Sequence, residues 1–111
     1  MVYLCYIMTI MAKLIDYKEN NGEYNMSFDS QLLDEAINEE RKEPIIRFYG
    51  WNPPCVSLGR NQSFEHIDVE FCKQNGIDIV KRVTGGRGLL HDNEVTYSFI
   101  CPIDFLRKGE S

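Results

Sequence analysis

Hydrophobic and polar positions change period several times along this chain, and each change predicts an element. Phe28, Leu32, Leu33, Ala36 and Ile37 recur at intervals of three and four, with Asp29, Gln31, Asp34, Glu35, Asn38 and Glu39 between them, so this segment predicts an amphipathic helix. Asn25 or Ser27 suits its N-cap, the charged run 39–43 its solvated end, and Pro44 closes it. Upstream, AKLIDY (12–17) predicts a short strand that stops in the turn KENNGE. Downstream, Ile45, Ile46, Phe48 and Tyr49, split by Arg47, predict a strand that breaks at Asn52-Pro53-Pro54. Residues 55–59 predict a second short strand, the two forming a hairpin.

Asp68 suits the N-cap of a short helix containing Val69, Phe71 and Cys72, stopped by Asn75-Gly76. Ile77, Ile79 and Val80 begin another strand; then Val95, Tyr97 and Phe99 alternate with Thr96 and Ser98, the period of a strand with one wetter face. Helices and strands interleave, which predicts an α/β or α+β domain with a mixed sheet and packed helices.

A length of 111 residues suits one domain. The net charge of −5 leaves no broad basic surface for nucleic acid. The apolar start MVYLCYIMTIMA is too short to span a bilayer and carries no signal-peptide pattern, so no membrane association is expected. Residues 1–11 read as an extension ahead of a working domain over 12–111, with an added edge strand as the next choice. Cys5, Cys55, Cys72 and Cys101 are dispersed without a C-x-x-C pair, as in a cytoplasmic protein with isolated thiols. His66 and His91 lie too far apart for a compact ligand series, so no metal is expected.

The chemistry concentrates in residues 81–92. Gly85, Gly86 and Gly88 follow a predicted strand and let the backbone approach a ligand, while Arg82 and Arg87 offer forked hydrogen bonds to a carboxylate or phosphate. A hairpin loop with solvated arginines is the rival reading. The loop lacks the Gly-Lys-Ser/Thr ending of a phosphate loop and the spacing of a dinucleotide-binding turn. It leads through Leu89-Leu90 to His91-Asp92, a polar cradle beside an apolar step, which suits a ligand with a charged head and an apolar tail.

KRVTGGRGLLHDNEVTYSF (81–99) resembles the signature of the lipoate-protein ligase and octanoyl or lipoyl transferase family, which is related more distantly to biotin protein ligases. NMSFDSQLLDEA (25–36) and RFYGWNPPCVSLGRNQ (47–62) resemble that family's first helix and its paired strands, in the family's order. The resemblance implies part of a biotin/lipoate protein ligase-like catalytic domain. It implies acyl-binding roles for Arg82, Thr84, Gly85, Gly86, Gly88 and His91, with Trp51, Arg60 and Gln62 supporting the pocket. Arg82 would contact the negative head; His91 would make either a structural hydrogen bond or a ligand contact.

Arg87 within the loop and Asn93-Glu94-Val95-Thr96 after Asp92 look more like the cysteine-dependent octanoyl-transferase branch than the ligase branch. The implied reaction is transfer of an octanoyl or lipoyl group to the lysine of a lipoyl carrier domain, with an octanoyl-acyl carrier protein as donor and no bound cofactor. ATP and magnesium enter only under the ligase alternative; a non-catalytic acyl-binding accessory subunit is the third reading. The family's later cysteine and lysine motifs have no match here, so the chain is expected to be catalytically incomplete alone, with self-association or a companion chain. Cys55 and Cys101 are expected to be structural thiols, and no residue is assigned a catalytic role.

Overall fold

The computed structural model describes residues 2–5 and 10–107. Its elements run β1 (Val2–Cys5), β2 (Ile10–Asn20), α1 (Gly22–Asn38), β3 (Ile45–Trp51), β4 (Cys55–Leu58), α2 (Val69–Gln74), β5 (Asp78–Lys81), β6 (Leu89–His91), β7 (Thr96–Ile100) and α3 (Ile103–Arg107). They build two mixed sheets, one in the order β1-β2-β3-β7 and the other in the order β5-β4-β6. Parallel pairing of β2 with β3 and of β4 with β5 requires a crossover in each case, and α1 and α2 supply it. Of the apolar segment 1–11, Val2–Cys5 pairs with β2 from Val2 opposite Lys13 to Cys5 opposite Ile10; Met1 and residues 6–9 lie outside the described residues.

The main helix begins one turn earlier than its apolar period suggests. Asn21 is the N-cap, its side chain accepting from the Tyr24 amide at 2.8 Å, and neither Asn25 nor Ser27 has that role. Asn25 instead lies fully buried inside α1, where Nδ2 donates to the Gly50 carbonyl at 2.9 Å and Oδ1 accepts from Arg47 Nη2 at 2.7 Å. Residues 39–43 leave the helix as expected, with Arg41 paired to Glu39 and Glu43. Asp68 caps α2 as its sequence position predicts, accepting from the Phe71 amide at 2.9 Å.

Strands β3 and β4 do not form a hairpin. Pro53 and Pro54 offer no N–H to continue a ladder, so the chain leaves the first sheet after Trp51 and enters the second at Cys55. This switch places Tyr49 and Trp51 against Cys55 at the junction of the sheets, with Met26 of α1 and Val80 of β5 packed on them. Leu89-Leu90-His91, read as part of a loop, is a short edge strand paired with β4. The other sheet ends at β7, and Leu90, Tyr97 and Phe99 on these two edge strands are all exposed.

Candidate functional site

A cavity of about 390 Å³ is bounded by α1, β3, the β5–β6 loop, β6 and β7. Met26, Leu33, Leu89, Phe99 and Ile100 give it apolar wall, Arg82 and Thr84 stand on its loop side, and Trp51 and His91 lie between. Its volume falls in the usual range of small-molecule pockets, roughly 300–1,000 Å³.

The glycine loop is held by main-chain contacts and by one arginine. Arg82 Nη1 donates to the Ser57 carbonyl and to Ser57 Oγ, both at 2.7 Å; Nη2 donates to the carbonyls of Gly85 at 3.0 Å and Arg87 at 2.9 Å. Both terminal nitrogens of Arg82 are therefore engaged inside the chain, and the side chain organises the loop from the cavity wall. The Arg60 amide donates to the Thr84 carbonyl at 2.8 Å, whereas the Arg60 residue is exposed and does not line the cavity. Gln62 Oε1 accepts from the Gly59 amide at 3.2 Å and acts as a strut behind the loop. Gly86 adopts φ of 100°, a region that favours glycine, and its carbonyl lies so close to Gly59 that a Cβ there would be 1.9 Å from it. Gly88 packs beside Leu58 and Gln62, while Gly85 has open space around it.

His91 is buried. Its ring stacks on Trp51 with centroids 4.1 Å apart and planes 10° from parallel; its Nε2 is 2.7 Å from Ser57 Oγ, and its Nδ1 meets Glu94 Oε1. Thr96 Oγ1 donates to the same Glu94 oxygen at 3.2 Å and accepts from Trp51 Nε1 at 2.8 Å. The partner of His91 is thus Glu94, not the adjacent Asp92. Asn93 at φ 53° turns the chain between them.

A second polar group, unforeseen from the sequence, forms part of the cavity wall. Asp29 Oδ2 accepts from Tyr49 Oη at 3.0 Å and Ser98 Oγ at 2.7 Å, and Oδ1 accepts from the buried Arg47 at 2.7 Å. The signal was the i, i+4 pair Asn25 and Asp29 near the helix's apolar stripe, together with an arginine inside an apolar strand.

Neither nearby acidic proton is readily lost. Burial pushes the Cys55 thiol up from 9.0 to about 12, with the charges of Asp78 and Cys72 adding to it. Burial also pushes Tyr49 up from 10.0 to about 12; the Ser98 hydrogen bond opposes this, and Asp29 reinforces it. Cys55 is thereby unsuited to nucleophilic attack. Because the folded state holds these protons more tightly, the unfolded state loses them first as pH rises. The contribution of these two groups to stability is therefore expected to stay level below pH 9.0 and to fall between 9.0 and about 12. Urea midpoints at about pH 7.5 and about pH 10.5 check this, and equal midpoints would show that neither group is desolvated.

Among the described residues no group of three or more His, Cys, Asp or Glu side chains is arranged to hold a metal ion, and no helix is long and apolar enough to cross a membrane. The family model described as "Lipoyl protein ligase A/B catalytic domain" matches residues 21–109. The chain is 43% identical over 96 residues to octanoyltransferase LipM of Staphylococcus epidermidis, covering 86% of this chain and 34% of that protein. It spans about a third of the length of the curated relatives it matches. A crystal structure of P. falciparum LipL1 in complex with lipoate shares the fold at a TM-score of 0.71 and 21% identity, covering 89% of this chain and 33% of that one. The bi-partite lipoate protein ligase of Thermoplasma acidophilum, from a structural study with its E2 lipoyl domain, aligns at a TM-score of 0.62 and 30% identity, covering 87% of this chain and 39% of that one. With a family match running from the cap of α1 past β7, the chain belongs to the lipoyl protein ligase A/B catalytic domain family.

Proposed function

We propose that this chain supplies the acyl-binding part of a site that transfers an octanoyl or lipoyl group to the lysine of a lipoyl carrier domain. The observation that carries this reading is the cavity itself: apolar wall from α1 and β7 ends at Arg82 and Thr84, where the glycine loop begins. Burying an alkyl tail contributes about 0.8 kcal/mol per CH₂, so the roughly six methylenes of an octanoyl chain provide about 5 kcal/mol. Thr84 meets the carbonyl end, with Arg82 fixing the loop's shape and its charge beside the head group. His91 and Trp51 form adjoining wall.

Octanoyl-acyl carrier protein is the donor that we favour over free lipoate with ATP. Among the described cavity-lining residues Asp29 is the one carboxylate, and Arg47, Tyr49 and Ser98 already occupy it, so this wall offers no free carboxylate to magnesium. The LipM similarity supports the same choice. Cys55 is buried and its thiol is pushed up, which supports assigning the attacking group to a part of the site outside this chain. The exposed apolar side chains of β6 and β7 favour a companion chain there. The free thiols of Cys55, Cys72 and Cys101 suit the cytoplasm.

Calorimetric titration with octanoate and with lipoate tests the binding step; incubation with octanoyl-acyl carrier protein, or with lipoate and ATP, in the presence of a lipoyl domain tests the donor. Arg82→Ala is expected to weaken octanoate binding roughly 10- to 150-fold, the equivalent of about 1.5–3 kcal/mol for lost charged hydrogen bonds. Failure of the wild-type protein to bind either acid would sink the acyl reading, and ATP-dependent consumption of free lipoate would reverse the choice of donor.

A further inference from the structure

We infer that Glu94 is a positioning residue for the acyl-binding loop, acting through His91 and Ser57 on Arg82. The inference rests on the acyl reading for its purpose, but its geometry stands independently. Both ends of the chain of hydrogen bonds have fixed roles. Arg82 Nη1 can only donate, so Ser57 Oγ accepts from it at 2.7 Å. The one proton of Ser57 then points to His91 Nε2, also at 2.7 Å, and that nitrogen must carry a lone pair to receive it. The imidazole proton therefore sits on Nδ1, where the Glu94 carboxylate accepts it. A proton on Nε2 would leave the buried serine proton without its acceptor.

Ser57, His91 and Glu94 have the composition of a nucleophilic triad, but not its access. Ser57 is 0% exposed, does not line the cavity, and its oxygen already accepts from a guanidinium. A substrate carbonyl cannot reach it, so the assembly positions and does not attack. What it positions is visible at both ends. Beyond Ser57, Arg82 Nη2 ties the carbonyls of Gly85 and Arg87, the two sides of the loop's apex. On the other limb, Glu94 accepts from Thr96, whose oxygen is thereby left to accept from Trp51, and the indole stacks on His91. One carboxylate on the β6–β7 turn thus sets the imidazole, the indole and the glycine loop together.

The test compares Glu94→Gln with Glu94→Ala in the intact protein. A His66→Asn background leaves His91 as the single histidine of this sequence, so its imidazole nitrogens are read by ¹⁵N NMR without overlap. In the parent and in Glu94→Gln, whose amide oxygen still accepts, Nδ1 is expected to be protonated and Nε2 bare, with octanoate affinity within about threefold of the parent. In Glu94→Ala the Nδ1 proton loses its acceptor and only the Arg82–Ser57 end still favours that tautomer, so an Nε2-protonated population is expected to appear, amide exchange to quicken at residues 83–88 but not in α1, and octanoate affinity to fall at least about tenfold. An unchanged tautomer, or unchanged loop exchange, in Glu94→Ala overturns the inference. If octanoate fails to bind the parent protein, the acyl reading falls while the tautomer and exchange data still judge the positioning role.

Discussion

Arg47→Met is expected to lower the unfolding free energy by about 3–5 kcal/mol, the cost of removing one member of a buried ion pair. Arg47 is 3% exposed, and its guanidinium lies between the rings of Tyr49 and Phe28, 3.8 and 4.5 Å from their centroids. It donates to Asp29 Oδ1, to the Asn25 carbonyl and to Asn25 Oδ1. A methionine fills much of the same space but leaves the Asp29 carboxylate with two hydroxyls and no cation, and leaves two oxygens of Asn25 without that donor. These losses, not the missing attraction alone, set the size of the effect. The double variant Arg47→Met, Asp29→Asn removes the stranded charge as well. It should lose less than the sum of the two single changes, by roughly 1–3 kcal/mol. Urea unfolding of the three variants measures this, and a loss below about 1 kcal/mol for Arg47→Met would show that the cluster is solvated.

The same cluster shows where sequence reading reached its limit. Periodicity located the helix body, β3, β5 and β7, because apolar burial in those segments follows a local repeat. It assigned Asp29 to the polar side of the helix, since a carboxylate is normally solvated; its partners Arg47, Tyr49 and Ser98 lie 18, 20 and 69 residues away, beyond any local pattern. Asn25 has the composition of a cap, and only the crossover onto Gly50 and Arg47 makes it a buried strut. The failed hairpin has a similar origin: two strands separated by three residues normally pair, but consecutive prolines and the second sheet's partners took β4 elsewhere.

Within the site, the resemblance picked out the loop and His91, and the structure brings Arg82, Thr84, His91 and Trp51 to one cavity. It did not separate side chains that line the cavity from those that hold the loop by main-chain contacts, as Arg60 does. Nor did adjacency identify the partner of His91. The strand ends at His91, and Asn93 at φ 53° turns the chain so that Glu94, three positions on, closes the contact.

Gly59→Ala is expected to reduce octanoate affinity at least about tenfold, and nearer a hundredfold if the loop moves by a full ångström. A Cβ at this position would lie 1.9 Å from the Gly86 carbonyl oxygen, 2.8 Å from its carbon and 3.1 Å from its nitrogen. All three are backbone atoms, so no side-chain rotation relieves the clash, and the loop itself must retreat. Its freedom to do so is small, because Arg82 ties Gly85 and Arg87 from one side and the Arg60 amide holds Thr84 from the other. The strain therefore falls on the loop beside the surface proposed to meet the acyl head, while α1 and the first sheet, to which residues 59 and 86 do not belong, should keep their amide protection. Gly85→Ala is the matched control: a Cβ there meets nothing within 4 Å and the residue is not held at positive φ, so its affinity should stay within about threefold. Equal affinities for the two variants would show that the close approach of residues 59 and 86 does not shape the binding surface. A loss confined to Gly59→Ala, with α1 protection intact, would place the geometry of the loop, and not its glycine content, at the centre of recognition.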